Sequence, residues 1–177
     1  MSRVGKHEIK IPQGLAVTQN GRLFMFKGKL GEASIDVPSC VEVSKTDSVI
    51  KVKVNDDAKF SRAMWGTVQR NISNIVKGLT EGFTVSLTLE GVGYKAAVTG
   101  RRLVLQLGYS HDIVYDIPDG VSIKCENPTS IAIMAPSKQQ AGEIAAVLRS
   151  YRPPEPYNGK GVIRAGEFVI RKEGKKK

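Results

Sequence analysis

Leu23-Phe24-Met25-Phe26-Lys27-Gly28 returns 80 positions later as Leu103-Val104-Leu105-Gln106-Leu107-Gly108. Working outward, the same offset relates Asp36-Val37-Pro38 to Asp116-Ile117-Pro118 and Val41-Glu42-Val43 to Val121-Ser122-Ile123. After a slip of one residue, Ile50-Lys51-Val52-Lys53-Val54 matches Ile131-Ala132-Ile133-Met134-Ala135. Two antiparallel sheets can share turn chemistry by chance. Matches in one order at nearly one offset point instead to duplication. Two copies of so long a period make two similar domains and not a solenoid.

The pattern within each copy gives the fold class. Short alternating apolar runs are separated by turn signals at Asn20-Gly21, Gly28, Pro38, Gly100, Gly108 and Asp119-Gly120, the mark of antiparallel strands. Lys51 and Lys53 alternate with Ile50, Val52 and Val54, as on a strand with one wet face. A helix is predicted over 58–77. Its apolar stripe is Phe60, Met64, Val68, Ile72, Ile75, Val76 and Leu79, and Asn55-Asp56-Asp57 supplies cap candidates. A second helix opens on Ser137-Lys138-Gln139-Gln140, with the spacing of a capping box. Its stripe is Ala141, Ile144, Ala145, Leu148 and Tyr151, and Pro153 stops it. The expected fold is α+β: two tandem copies of a small, mostly antiparallel sheet covered by one helix, plus a basic C-terminal extension. The expected boundaries are 1–80, 81–152 and 153–177, with a junction over Gly78 to Gly82.

Charge directs attention to the end of the chain. The 177 residues carry a net charge of +10. From Arg149 to Lys177 nine Lys or Arg face three Glu, so one sixth of the length holds +6 of that excess. Within it lies Arg152-Pro153-Pro154-Glu155-Pro156-Tyr157-Asn158-Gly159-Lys160-Gly161. Prolines fix an extended path, glycines admit a sugar-phosphate backbone, and Lys and Arg displace counterions from a polyanion. Tyr157 is placed to stack on a base or bond a phosphate. A Pro-Gly linker into a solvated tail has the same composition. Clustering of charge at one end favours nucleic acid over mere solubility.

Other classes find less support. Arg3, Lys6 and His7 form a small basic arm, or a frayed terminus. The opening residues lack the apolar stretch of a secretory signal, and no apolar run is long enough to span a bilayer. Cys40 and Cys125 form no C-x-x-C pair, so reduced thiols are expected and a metal site is not. Gly91-Val92-Gly93-Tyr94-Lys95-Ala96 lacks the third glycine of a dinucleotide loop, and strands follow it; a tight turn is expected. Gly28-Lys29-Leu30-Gly31 fits G-x-x-G, but with strands on both sides it reads as a basic hairpin turn. No nucleophile elbow, P-loop or H-E-x-x-H is present. His111 beside Asp112 reads as loop polarity. A nucleic-acid enzyme gripping its substrate with the tail, or a membrane binder using the lysine run, are the rival classes.

Several stretches together resemble the bacterial form of large-subunit ribosomal protein six. They are Pro154-Glu155-Pro156-Tyr157, Gly159-Lys160-Gly161, Gly91 to Ala96, Met1-Ser2-Arg3-Val4-Gly5-Lys6, Gly66-Thr67, Asn74 and Gly82-Phe83. The resemblance covers essentially the whole chain. It implies two tandem α+β copies and a structural, non-catalytic protein of the cytoplasmic ribosome. It also implies binding to large-subunit rRNA, mainly through the C-terminal half and tail, near the stalk base, the factor-binding region and the sarcin-ricin loop. The implied partners are that rRNA and neighbouring large-subunit ribosomal proteins, with no cofactor, metal, membrane or small-molecule substrate. The RNA-facing residues it suggests are Arg149, Arg152, Tyr157, Asn158, Gly159, Lys160, Gly161, Arg164, Arg171, Lys172 and Lys175, with Arg3, Lys6 and Lys95 as further candidates. Two positions depart from the family pattern. Asn158 stands where Lys is usual, and Val162 to Glu167 lacks a common aromatic residue.

Overall fold

Gly28↔Gly31 closes a hairpin in which Phe24 opposes Ile35 and Phe26 opposes Ala33. Alternation puts Phe24 and Phe26 inside, while Leu23, Met25 and Lys27 face water. A computed structural model describes residues 4–46 and 48–174 of the chain. It divides into two compact units between Gly82 and Phe83.

The first unit contains β1 (Ile9–Lys10), β2 (Ala16–Asn20), β3 (Leu23–Gly28), β4 (Gly31–Asp36), β5 (Val41–Lys45), β6 (Val49–Val54) and α1 (Lys59–Thr80). Two antiparallel sheets, ordered β2-β3-β4 and β1-β6-β5, enclose the core with α1. Phe24, Phe26, Ile50, Val68 and Ile72 are its buried centre. Gly28 lies so close to α1 that a Cβ there would stand 2.8 Å from the Leu79 carbonyl oxygen.

The second unit contains β7 (Phe83–Glu90), β8 (Lys95–Thr99), β9 (Arg102–Gln106), β10 (Ile113–Asp116), β11 (Ser122–Asn127), β12 (Ser130–Ala135), α2 (Lys138–Tyr151) and β13 (Gly161–Arg164). Its sheets are ordered β10-β9-β8 and β11-β12-β7-β13. Strand for strand, β8-β9-β10 repeats β2-β3-β4, and β11-β12-β7 repeats β5-β6-β1. The two units are thus copies of one α+β fold. Leu103, Leu105, Leu107, Ile131, Ile133 and Leu148 form a second core.

Some expectations need amendment. Asn55, Asp56 and Asp57 do not cap α1: the N-cap is Ala58, with no side-chain bond. Asn55 Nδ2 donates instead to the Ser39 carbonyl at 2.9 Å, and Asp57 pairs with Arg62 at 3.7 Å. Ser137 does cap α2, accepting from the Gln140 amide at 3.4 Å. Helix α1 continues through Gly78, which is buried, so the link is only Glu81-Gly82. The stretch 153–177 is not all appendage. Residues 161–164 form β13, hydrogen-bonded along β7, and Val162 is 0% exposed within the second core. Its Val-Ile pair has the β propensity and burial of a core strand.

Gly91-Val92-Gly93-Tyr94 is a tight turn: Gly93 has φ 78°, and a Cβ on Gly91 would stand 2.7 Å from the Tyr94 ring. Cys40 and Cys125 are free and half-buried.

Candidate nucleic-acid interface

Helix α2 ends where Pro153 would follow. Arg152 leaves helical geometry at φ −150° and ψ 85°, as expected for a residue before proline. The chain then folds into a closed loop. Glu155 N donates to the Lys160 carbonyl at 2.9 Å, Gly159 N to the Glu155 carbonyl at 2.9 Å, and Val162 N to the Arg152 carbonyl at 2.8 Å. Strand β13 then leads to a turn in which Glu167 N donates to the Arg164 carbonyl. Beyond it the chain returns across the loop, where Lys172 N donates to the Pro156 carbonyl at 2.7 Å. The segment is therefore built onto the second unit by backbone bonds.

The two glycines singled out from the sequence are packing positions. Gly159 (φ 75°) is buried beneath the Arg171 guanidinium, 2.9 Å from where a Cβ would stand. Gly161 is buried against the Pro153-Pro154 backbone. Neither offers a surface to a sugar-phosphate chain.

Arg149 is also engaged. Its Nε donates to Glu167 Oε2 at 2.9 Å and its Nη2 to Oε1 at 2.5 Å, a bidentate pair. The hydrogen bond to Glu167 holds the Arg149 guanidinium above its ordinary pKa, and the bond from Arg149 holds the Glu167 carboxyl below its own. Glu167 Oε2 also accepts from the Arg164 amide at 3.2 Å. This pair clamps the turn after β13 to α2.

The remaining polar and cationic side chains of the segment are on the outside. Lys160, Arg164, Arg171 and Lys172 are exposed, as are Asn158 and Tyr157, the latter at 56%. Arg171 leans toward Glu90 at 3.8 Å, too loose to remove it from solvent. Arg152 is half-buried, with its guanidinium carbon 5.0 Å from the centre of the Tyr109 ring. Lys95 is exposed at the start of β8, and Lys6 is exposed in the first unit. Arg3 and Lys175 lie outside the described residues.

Reading the sequence missed the aromatic edge of this surface. Tyr109 stacks on His111 with ring centres 6.1 Å apart, and its hydroxyl donates to the Tyr151 carbonyl at 2.9 Å. The Tyr-x-His spacing in a loop was the available signal, but only the fold sets it beside Arg152. Phe168, 87% exposed, supplies an aromatic ring directly after Val162 to Glu167, the stretch that lacks one. Among the described residues no cluster of three or more His, Cys, Asp or Glu could hold a metal, and no helix is long and apolar enough to cross a membrane.

Comparison with known proteins agrees with this architecture. The model of the family described as ribosomal protein L6 matches residues 11–82 and again 90–164, one match per unit. A protein of Paramagnetospirillum magneticum, named large ribosomal subunit protein uL6, is 51% identical over 177 residues, all of both chains. Proteins of the same name from Parvibaculum lavamentivorans and Rhodospirillum centenum are each 49% identical, again over the full length of both chains. With both units matched and full-length relatives near half identity, the chain belongs to the ribosomal protein L6 family.

Proposed function

We propose that this chain is a structural constituent of the large ribosomal subunit, binding large-subunit rRNA mainly through its second unit and basic C-terminal segment. Its place in the cytoplasmic ribosome is near the stalk base and factor-binding region, next to the sarcin-ricin loop and to other large-subunit proteins. The observation that carries this reading is the row of exposed cations Lys160, Arg164, Arg171 and Lys172 on a segment fixed to the second unit by backbone hydrogen bonds. A segment whose backbone is already held in place has less conformational freedom to lose when phosphates arrive. Tyr157, Phe168 and the Tyr109-His111 pair offer faces on which unstacked bases can rest. Recognition is by shape and phosphate geometry, because side chains cannot read the deep, narrow major groove of A-form RNA. As a member of its family the chain is a structural protein and not an enzyme.

Sedimentation of cell extract tests the proposal. The protein travels with the large subunit and stays there through a wash that strips loosely held proteins. Recovery in the free soluble fraction would overturn it.

A further inference from the structure

The duplication makes one unit a guide to the other. In the second unit, Leu87 opposes Ile131 and Leu89 N donates to the Thr129 carbonyl. In the first, Ile9 opposes Ile50 and Ile11 N donates to the Ser48 carbonyl at 2.9 Å. Since Ile50 corresponds to Ile131, Ile9 corresponds to Leu87 and Ile11 to Leu89. Backbone groups alternate sides along an antiparallel strand. Those of Ser86, Thr88 and Glu90 therefore point away from β12, and there β13 meets them: Ile163 opposes Thr88, Gly161 opposes Glu90, and Ala165 N donates to the Ser86 carbonyl. Their counterparts are Glu8, Lys10 and Pro12. Among the described residues no strand lies outside β1.

What lies there is a cleft of about 800 Å³ between the free edge of β1 and one face of α1. Gln69 on its wall is 5% exposed; its Nε2 donates to the His7 carbonyl at 3.3 Å, while its Oε1 is buried without a hydrogen bond. The two carboxylates of the cleft are already paired, Glu8 with Lys51 at 2.7 Å and Glu81 with Lys77 at 4.0 Å. Lys10 and Arg70 remain as exposed cations on the rim.

The geometry points to a protein-docking site: β1 accepts an added antiparallel strand from a neighbouring ribosomal protein, at the place β13 fills in the second unit. The occupant is an extended peptide with a small apolar residue opposite Ile11, as Val162 stands opposite Leu89. It carries acidic residues toward Lys10 and Arg70. Main-chain bonds supply affinity in such strand addition, and side-chain pockets supply specificity. Pro12, which has no N–H, limits pairing at one end. This inference rests on the proposed place in the large subunit.

The test uses the full chain in assembled subunits, with the photoreactive residue benzoylphenylalanine in place of Gln13, an exposed residue on the cleft. Irradiation links it to an extended segment of another ribosomal protein. Adding Lys10→Pro removes the outward amide without touching the β1–β6 bonds; that link is then lost, while the cooperative melt and incorporation persist. Should Lys10→Pro prevent folding, amide exchange at Lys10 in the unsubstituted chain replaces it, slowing on incorporation. Links only to rRNA, to the chain's own residues or to a second copy, or no link at all in subunits that contain the protein, would overturn the inference. Absence of the protein from the subunits would instead overturn the proposed function on which it rests.

Discussion

A Cβ added to Gly161 would stand 2.7 Å from the Pro153 carbonyl oxygen and 2.7 Å from Pro154 Cα. The base of the basic loop is therefore closed by backbone lying on backbone. Gly161 also has φ 150°, which side-chain-bearing residues rarely adopt.

Gly161→Ala is accordingly expected to destabilise the second unit by roughly 2 kcal/mol or more, since positive-φ strain alone costs on the order of 1–3 kcal/mol. Thermal unfolding is the check. An unchanged melt would mean that the loop opens freely and that the glycine serves something other than packing.

Acid should loosen the turn after β13. The Arg149 hydrogen bond, aided by the Arg164 amide, lowers the folded-state pKa of Glu167 below its unfolded value. Between those two values the unfolded chain binds more protons, so stability rises with pH. The contribution is complete above the unfolded pKa and lost as pH falls through the folded one. Melting temperature against pH should therefore fall more steeply at the acid end for the natural chain than for Glu167→Gln. Parallel curves would mean that the pair adds nothing.

Lys160→Glu tests the proposed phosphate contact. The side chain is exposed, and the loop uses only the backbone carbonyl of Lys160. The variant should keep its stability within about 0.5 kcal/mol, as surface substitutions do. Binding to large-subunit rRNA should weaken, with a salt dependence shallower by about 1 in slope. A lower melt with unaltered binding would assign the residue to the fold.

Local chemistry explains how much was legible in the sequence. The repeat was visible because apolar runs and turn residues recur in the same order, but the offset of 80 is one residue out at β3 and β9: buried Phe24 and Phe26 correspond to buried Leu103 and Leu105, 79 positions on, and Gly108 lies beyond the end of β9. The stripe on α2 was readable because Ala141, Ile144, Ala145 and Leu148 keep helical spacing and are all buried. Strand β13 was hidden: Gly-Val-Ile-Arg is too short to show a period, and the prolines and charges around it resemble a tail. Only its pairing with β7, beginning ten residues beyond the end of α2, reveals it. Arg149 looked available because its partner Glu167 lies 18 residues on, across a turn that no periodicity announces. Gly159 and Gly161 carried the right residue type for close approach, but the approaching groups are Arg171 and Pro153-Pro154, within the chain itself.

The central claim is that the exposed cations of the second unit bind rRNA through its phosphates. The salt dependence of binding between the full chain and a large-subunit rRNA fragment tests it most directly. With about six phosphates neutralised, log K should fall against log salt with a slope of roughly −4 to −5. A slope near zero would contradict it.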